Sequence, residues 1–110
     1  MTESEFMALA DATLHEIENA VDEAAASADL DIECSFNGNV LEVEFVDKGS
    51  KIIINSQAPM QEIWVAAKLG GFHFKRHDSR WIDTRDGTEL FSVLSRLASA
   101  QAGASVQFAA

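Results

Sequence analysis

Asp31-Ile32-Glu33-Cys34-Ser35-Phe36-Asn37-Gly38-Asn39-Val40-Leu41-Glu42-Val43-Glu44-Phe45 alternates apolar and polar residues on both sides of an Asn-Gly pair. Ile32, Cys34 and Phe36 share one phase, and Asp31, Glu33 and Ser35 take the other. Leu41, Val43 and Phe45 alternate in the same way with Glu42 and Glu44. A period of two is the pattern of a half-buried strand. Asn37-Gly38 is a strong hairpin turn signal. The stretch therefore predicts an antiparallel pair with one apolar and one acidic face.

Reading towards the C-terminus, Asp47-Lys48-Gly49 is the next turn and Lys51 to Asn55 a third strand. Ala58-Pro59 breaks it. Gln61 to Ala66 is a fourth strand, Gly71 to Arg76 a fifth and Arg80 to Asp83 a short sixth. A second helix begins near Asp86, where Asp86-Gly87-Thr88-Glu89 has capping-box spacing. Leu90, Phe91, Leu94, Leu97 and Ala98 give its apolar stripe, and Gly103 ends it. Val106 and Phe108 alternate in a tail that packs back on the core.

Reading towards the N-terminus, residues 4–24 form an amphipathic helix. Phe6, Leu9, Ala10, Thr13, Leu14, Ile17 and Val21 recur at spacings of three and four, with Ser4 as N-cap. Ala24-Ala25-Ala26-Ser27-Ala28 loses that periodicity and hands over to the first strand. The expected architecture is a two-layer α+β sandwich in a single domain over 1–110. An antiparallel sheet of five to six strands carries the N- and C-terminal helices on one face. Glu42, Glu44, Lys51, Asn55, Glu62, Trp64, His73 and Lys75 then fall on the open face. Among them Trp64 is a large aromatic turned to water.

Charge is segregated along the chain. Thirteen of its 18 Asp and Glu precede Lys48, the first of eight Lys and Arg, and the net charge is −10. Such a surface attracts cations and basic partners and repels nucleic acid phosphates. No apolar run reaches the eighteen or so residues that span a membrane. The acidic start Met-Thr-Glu-Ser-Glu-Phe lacks a signal peptide's basic and apolar segments, so a cytoplasmic location is expected. The single cysteine, Cys34, permits no internal disulfide and takes the inward phase as a core residue.

Two candidate sites emerge. Glu18 and Asp22 are i,i+4 partners on the helix, as are Asn19 and Glu23, while Asp29, Asp31 and Glu33 follow the outward phase of the first strand. Side by side, these rows form one carboxylate ridge whose oxygen-only ligands suit hard cations. The alternative is a solvated helix face beside a charged edge strand that discourages aggregation. Trp64 is the second candidate. It is either a binding anchor or an indole lying flat on its sheet neighbours. His15, His73 and His77 lack metal-ligand spacing. Gly70-Gly71 is a turn rather than a phosphate loop, and no catalytic constellation is present.

Gly49-Ser50-Lys51-Ile52-Ile53-Ile54-Asn55-Ser56-Gln57-Ala58-Pro59-Met60-Gln61-Glu62-Ile63-Trp64-Val65-Ala66 resembles the bacterial frataxin (CyaY) family. Gly70-Gly71-Phe72-His73-Phe74, Trp81-Ile82, Asp86-Gly87 and Ser4-Glu5-Phe6 continue the likeness over nearly the whole chain. The resemblance implies helix, antiparallel sheet, helix, and a part in iron–sulfur cluster assembly. It implies weak binding of ferrous and ferric iron at Glu18, Asp22, Glu23, Asp29, Asp31 and Glu33. It also implies sheet-face contacts to a cysteine desulfurase and a cluster scaffold protein through Asn55, Gln57, Pro59 and Trp64, and a monomer without iron.

Residue chemistry alone does not choose iron over another hard cation; the resemblance does. Asn19 and Ala20 stand where bacterial relatives commonly carry charge, and Ala24, Ala25 and Ala26 thin out the end of the helix. The ridge should therefore hold fewer ions or hold them more weakly, with Glu42 and Glu44 in partial compensation. The expected role is a non-enzymatic, iron-binding adaptor or regulator of the desulfurase–scaffold complex. The competing roles are a ferroxidase, an iron chaperone that delivers iron to the scaffold, and an acidic docking module whose metal binding is incidental.

Overall fold

The alternation on either side of Asn37 folds as a hairpin, with its turn shifted one residue on. In the computed structural model, which describes residues 1–108, Asn37 still pairs with Val40, and Gly38-Asn39 is the two-residue loop. Gly38 carries the positive φ, +63°, that such a loop demands and that a side chain resists. The flanking strands are β1 (Ile32–Asn37) and β2 (Val40–Phe45). They are followed by β3 (Ser50–Gln57), β4 (Glu62–Ala67), β5 (Gly70–His77) and β6 (Arg80–Asp83). Every strand pairs antiparallel with the next, so the spatial order is the chain order, β1 to β6. Helices α1 (Glu3–Ala28) and α2 (Leu90–Ala102) cover one face. The expected two-layer α+β sandwich is the observed one, with six strands.

The inward phase of the sheet is mostly apolar, with Ser50, Ser56 and Asp83 as its buried polar residues. Leu41, Val43, Phe45, Ile52, Ile54, Ile63, Val65, Phe74 and Trp81 are buried against Phe6, Ala10, Leu14, Ile17 and Val21 of α1 and Leu90, Leu94 and Leu97 of α2. Trp81 ties the layers together. Its indole N–H donates to the Thr13 hydroxyl at 2.9 Å, and its ring meets Phe6 edge-on at 6.0 Å. Buried Gln101 of α2 donates to the Ser50 hydroxyl and the Lys51 carbonyl and accepts from the Lys68 amide. That side chain thereby fixes the end of α2 to the sheet. Val106 and Phe108 are buried, as the alternating tail predicts, and Ser99 and Ser95 bond their backbones.

Three sequence boundaries shift, each for a local reason. The N-cap of α1 is Thr2 rather than Ser4. Thr2 Oγ1 accepts from the Glu5 amide at 3.1 Å while Glu5 Oε1 accepts from the Thr2 amide at 2.9 Å, a reciprocal capping box. The alanine run stays helical to Ala28, because alanine has the highest helix propensity even where the amphipathic pattern lapses. Asp29 is therefore the left-handed C-cap (φ +55°) and not a strand residue. At the other end Glu89 caps α2, accepting from the Phe91 and Ser92 amides. Asp86 instead accepts from Thr88 in a turn before the helix, and this holds its carboxyl below the usual carboxylate range.

Candidate functional site

The six ridge carboxylates do not form one row. Glu18 is half-buried on α1, and Asp22 and Glu23 are exposed one turn further on. Asp29 caps the helix, Asp31 precedes β1 and Glu33 lies on β1. Asp22 and Glu33 come together at the β1 edge, where they line an open recess of about 390 Å³ with Ile32, Cys34, Ser35, Glu42 and Glu44. Glu23 faces a separate groove between α1 and the tail, beside Ser27 and Gln107. Asp31 borders a small crevice with Asp47 and Lys48. Among the described residues, no three of His, Cys, Asp or Glu converge closely enough to hold an ion by themselves.

The recess is nevertheless strongly acidic, and the register explains why. Glu33 sits directly opposite Glu44, a like-charge pair across the ladder. Glu44 is opposite Lys51, but the Lys51 ammonium reaches the other way, to Glu42 Oε1 at 2.9 Å. Glu42, expected to compensate for the thinned helix, is thus itself paired. Cys34 takes the inward phase and packs half-buried against the core, lining the recess with its other side. Burial pushes its thiol up to about 12, and the Asp22 and Glu18 charges add to the shift. The thiol therefore stays protonated at neutral pH. The carboxylate oxygens that line the recess suit hard cations. His15 joins no carboxylate cluster; its ring stacks on Phe36 at 4.7 Å and its Nδ1 lies 2.9 Å from the Asp11 carbonyl.

The second candidate site is built across β3, β4 and β5 on the open sheet face. Register sets Asn55 opposite Trp64, Trp64 opposite His73, and both Gln57 and Lys75 opposite Glu62. Gln57 Nε2 donates to Asn55 Oδ1 at 2.6 Å. Pro59 is exposed in a 3₁₀ turn, Ala58–Met60, at the end of the β3–β4 hairpin. Trp64 does not stand free in water. It is half-buried, its ring lies parallel to His73 with centroids 4.4 Å apart, and its Nε1–H donates to Glu62 Oε1 at 2.8 Å.

Glu62 is the residue that strand phase did not single out. It is on the open face as expected, yet its side chain is only 6% exposed. The indole, His73 Nδ1 at 3.4 Å and Lys75 Nζ at 3.8 Å surround its carboxylate. Alternation reports which face a residue takes but not whether its neighbours close over it. The available signal was register: Glu62, Trp64, His73 and Lys75 share one phase on adjacent strands.

A family profile described as a frataxin-like domain matches residues 1–104. The iron-sulfur cluster assembly protein CyaY of Janthinobacterium sp. (strain Marseille) is 62% identical over 103 residues, covering 94% of this chain and 92% of the relative. The protein of the same name from Cupriavidus taiwanensis is 63% identical over 108 residues, covering 98% and 96%. Among solved structures, frataxin from Psychromonas ingrahamii superposes over the whole of both chains with a TM-score of 0.83 at 32% identity. A trimeric yeast frataxin complexed with ferrous iron, 24% identical, shares the fold with a TM-score of 0.72 over 86% of this chain and 85% of its own.

Proposed function

This chain belongs to the frataxin family, and from that membership we propose that it is an iron-binding adaptor and regulator of iron–sulfur cluster assembly. Its bacterial relatives are named as iron–sulfur cluster assembly proteins, and a role in that process follows for this chain. The finer reading is that it binds Fe²⁺ and Fe³⁺ weakly on the α1–β1 acidic surface. It modulates a cysteine desulfurase bound to its scaffold protein in the cytoplasm, and catalyses no reaction of its own.

The observation that carries this reading is the recess at the β1 edge. Asp22 from the helix and Glu33, Glu42 and Glu44 from the sheet border one solvent-open hollow. Hard cations are attracted there, but an open arrangement imposes no coordination geometry, so binding is weak and follows the free iron concentration. Glu18, Glu23, Asp29 and Asp31 extend the negative field beyond the hollow. The same field steers a basic partner surface towards the protein. Bound iron cancels part of the field, so metal occupancy changes how the partner is held. Asn55, Gln57, Pro59 and Trp64 provide the short-range contact on the sheet face.

Desulfurase turnover, measured with this protein across a range of Fe²⁺ concentrations, tests the proposal. Turnover should change with iron when the protein is present and stay flat for a variant carrying Asp22→Asn and Glu33→Gln. An iron-independent effect of the wild type would leave only the acidic docking module. Mn²⁺ broadening of amide resonances locates the ion: it should strike 18–23, 33–35 and 42–44 first. Broadening centred on His73 or His77 would refute the assignment of the recess.

A further inference from the structure

Glu62 is the buried glutamate of the sheet, and no apolar layer covers its face. A carboxylate withdrawn from water without hydrogen bonds costs several kcal/mol, so its partners are what keep it there. Those partners are all on the docking face: the Trp64 indole N–H, His73 Nδ1 and Lys75 Nζ. The Trp64 hydrogen bond is the shortest of the three, at 2.8 Å, and it joins side chains two residues apart on the same strand face. It acts on the indole from one side while His73 stacks on the ring at an interplanar angle of 8°. Together these two contacts fix both the position and the tilt of the ring.

We propose that Glu62 is a positioning residue for partner docking: it locks the Trp64 indole into one orientation on the sheet face before the partner arrives. This rests on the reading that Trp64 anchors the partner. A hot-spot aromatic already held in its bound orientation loses less freedom on association, and that raises affinity without any direct contact from the residue that holds it. His73 serves the same purpose through the stack. Lys75, more than half exposed, balances the Glu62 charge.

The test uses the full-length protein and the cysteine desulfurase, with the Trp64 indole N–H resonance as a second readout. Glu62→Gln keeps an acceptor oxygen at the same reach, so it should bind within about twofold of wild type with the indole resonance shifted but sharp. Glu62→Met keeps the length and removes the acceptor. It should weaken binding roughly tenfold, the range of one charge-assisted hydrogen bond, and move or broaden the indole resonance. Where Glu62→Met fails to fold, Glu62→Met with Lys75→Met, which leaves no ammonium unpaired, takes its place; Trp64→Phe keeps the stack and removes the donor. Trp64→Phe should lose a similar factor, and its combination with Glu62→Met should lose little more than either single one.

Additive losses in that cycle would overturn the positioning role. So would a Glu62→Met protein that binds as wild type while Trp64→Ala binds weakly; in that case the sheet-face anchor survives and Glu62 is merely buried. If Trp64→Ala itself binds as wild type, the anchor reading fails and the positioning role falls with it.

Discussion

Glu33 and Glu62 are both strand glutamates, three strands apart in one sheet, and their surroundings are opposite. Glu33 is exposed, faces Glu44 across the ladder, and borders a recess with Asp22 and Glu42. Glu62 is buried and has an indole N–H, an imidazole and an ammonium within 4 Å. The carboxylate at the β1 edge is left to seek its counter-charge outside the molecule. The one on β4 finds it within the molecule and organises its neighbours. The same functional group thus serves as a cation-attracting surface at one end of the sheet and as a structural clamp in its interior. Partners supplied by the register decide which.

Four experiments test that contrast. The largest effect is expected from Trp64→Ala. It should weaken desulfurase binding by about 2 kcal/mol or more, independently of salt. Because it also strips Glu62 of its closest donor, it should cost about 1–3 kcal/mol of stability in urea unfolding, still below the ~3–5 kcal/mol of a fully buried aromatic. A variant that unfolds outright would make Trp64 a core residue; one that is fully stable would show that the indole–Glu62 bond contributes nothing.

Next comes the recess. Asp22→Asn with Glu33→Gln should lower Mn²⁺ or Fe²⁺ affinity about thirtyfold at low salt, since each of the two lost charges removes on the order of 1 kcal/mol of attraction in water. Salt should narrow the difference, because exposed charges are screened beyond about 8 Å at physiological ionic strength. An affinity unchanged by both substitutions would place the cation elsewhere. Smaller again is the stability gained by relieving repulsion. Asp22→Asn with Glu23→Gln should raise the melting temperature by about 1–3 °C at low salt, from roughly 0.2–0.5 kcal/mol per relieved i,i+4 pair. A variant that melts lower at every ionic strength would mean that these side chains make stabilising native contacts.

The smallest effect is that of Asp22→Asn on Cys34. Its thiol, raised to about 12 chiefly by burial, should alkylate far more slowly at pH 8 than in the unfolded chain. The rate should climb only as pH rises towards that value, where the thiolate forms. Asp22→Asn removes the second cause and lowers the thiol's pKa, so it should speed alkylation by only about twofold. Alkylation of the wild type at the rate of a free thiol would show that the rim of the recess is open to solvent.

The sheet was legible because its information is local. Alternation at Ile32–Phe36 and Leu41–Phe45 requires strands, and a Gly next to an Asn requires a tight turn. What stayed hidden lay in tertiary context or in competition between local signals. The Ala24–Ala28 run carries high helix propensity without amphipathic period, so periodicity alone ends α1 too early and places Asp29 on a strand. Ser4 and Asp86 looked like caps, but Thr2 and Glu89 have the geometry. At the candidate sites, the acids could be named from sequence, but their division among three hollows depends on how α1 lies across β1. Burial of Glu62 required the β4–β5 register, which no single strand reveals.

The unbroken order from β1 to β6 bears on how the chain folds. Each strand closes on the one just made, so the sheet grows through short loops with little entropy lost at each step. The long closure joins the two ends of the chain: the Trp81 indole reaches Thr13 across 68 positions, with Phe6 against its ring. Trp81 is buried beneath α1, whereas Trp64, the other tryptophan, sits on the opposite face. In stopped-flow refolding of a Trp64→Phe variant, the remaining fluorescence would report when Trp81 becomes buried against the first helix.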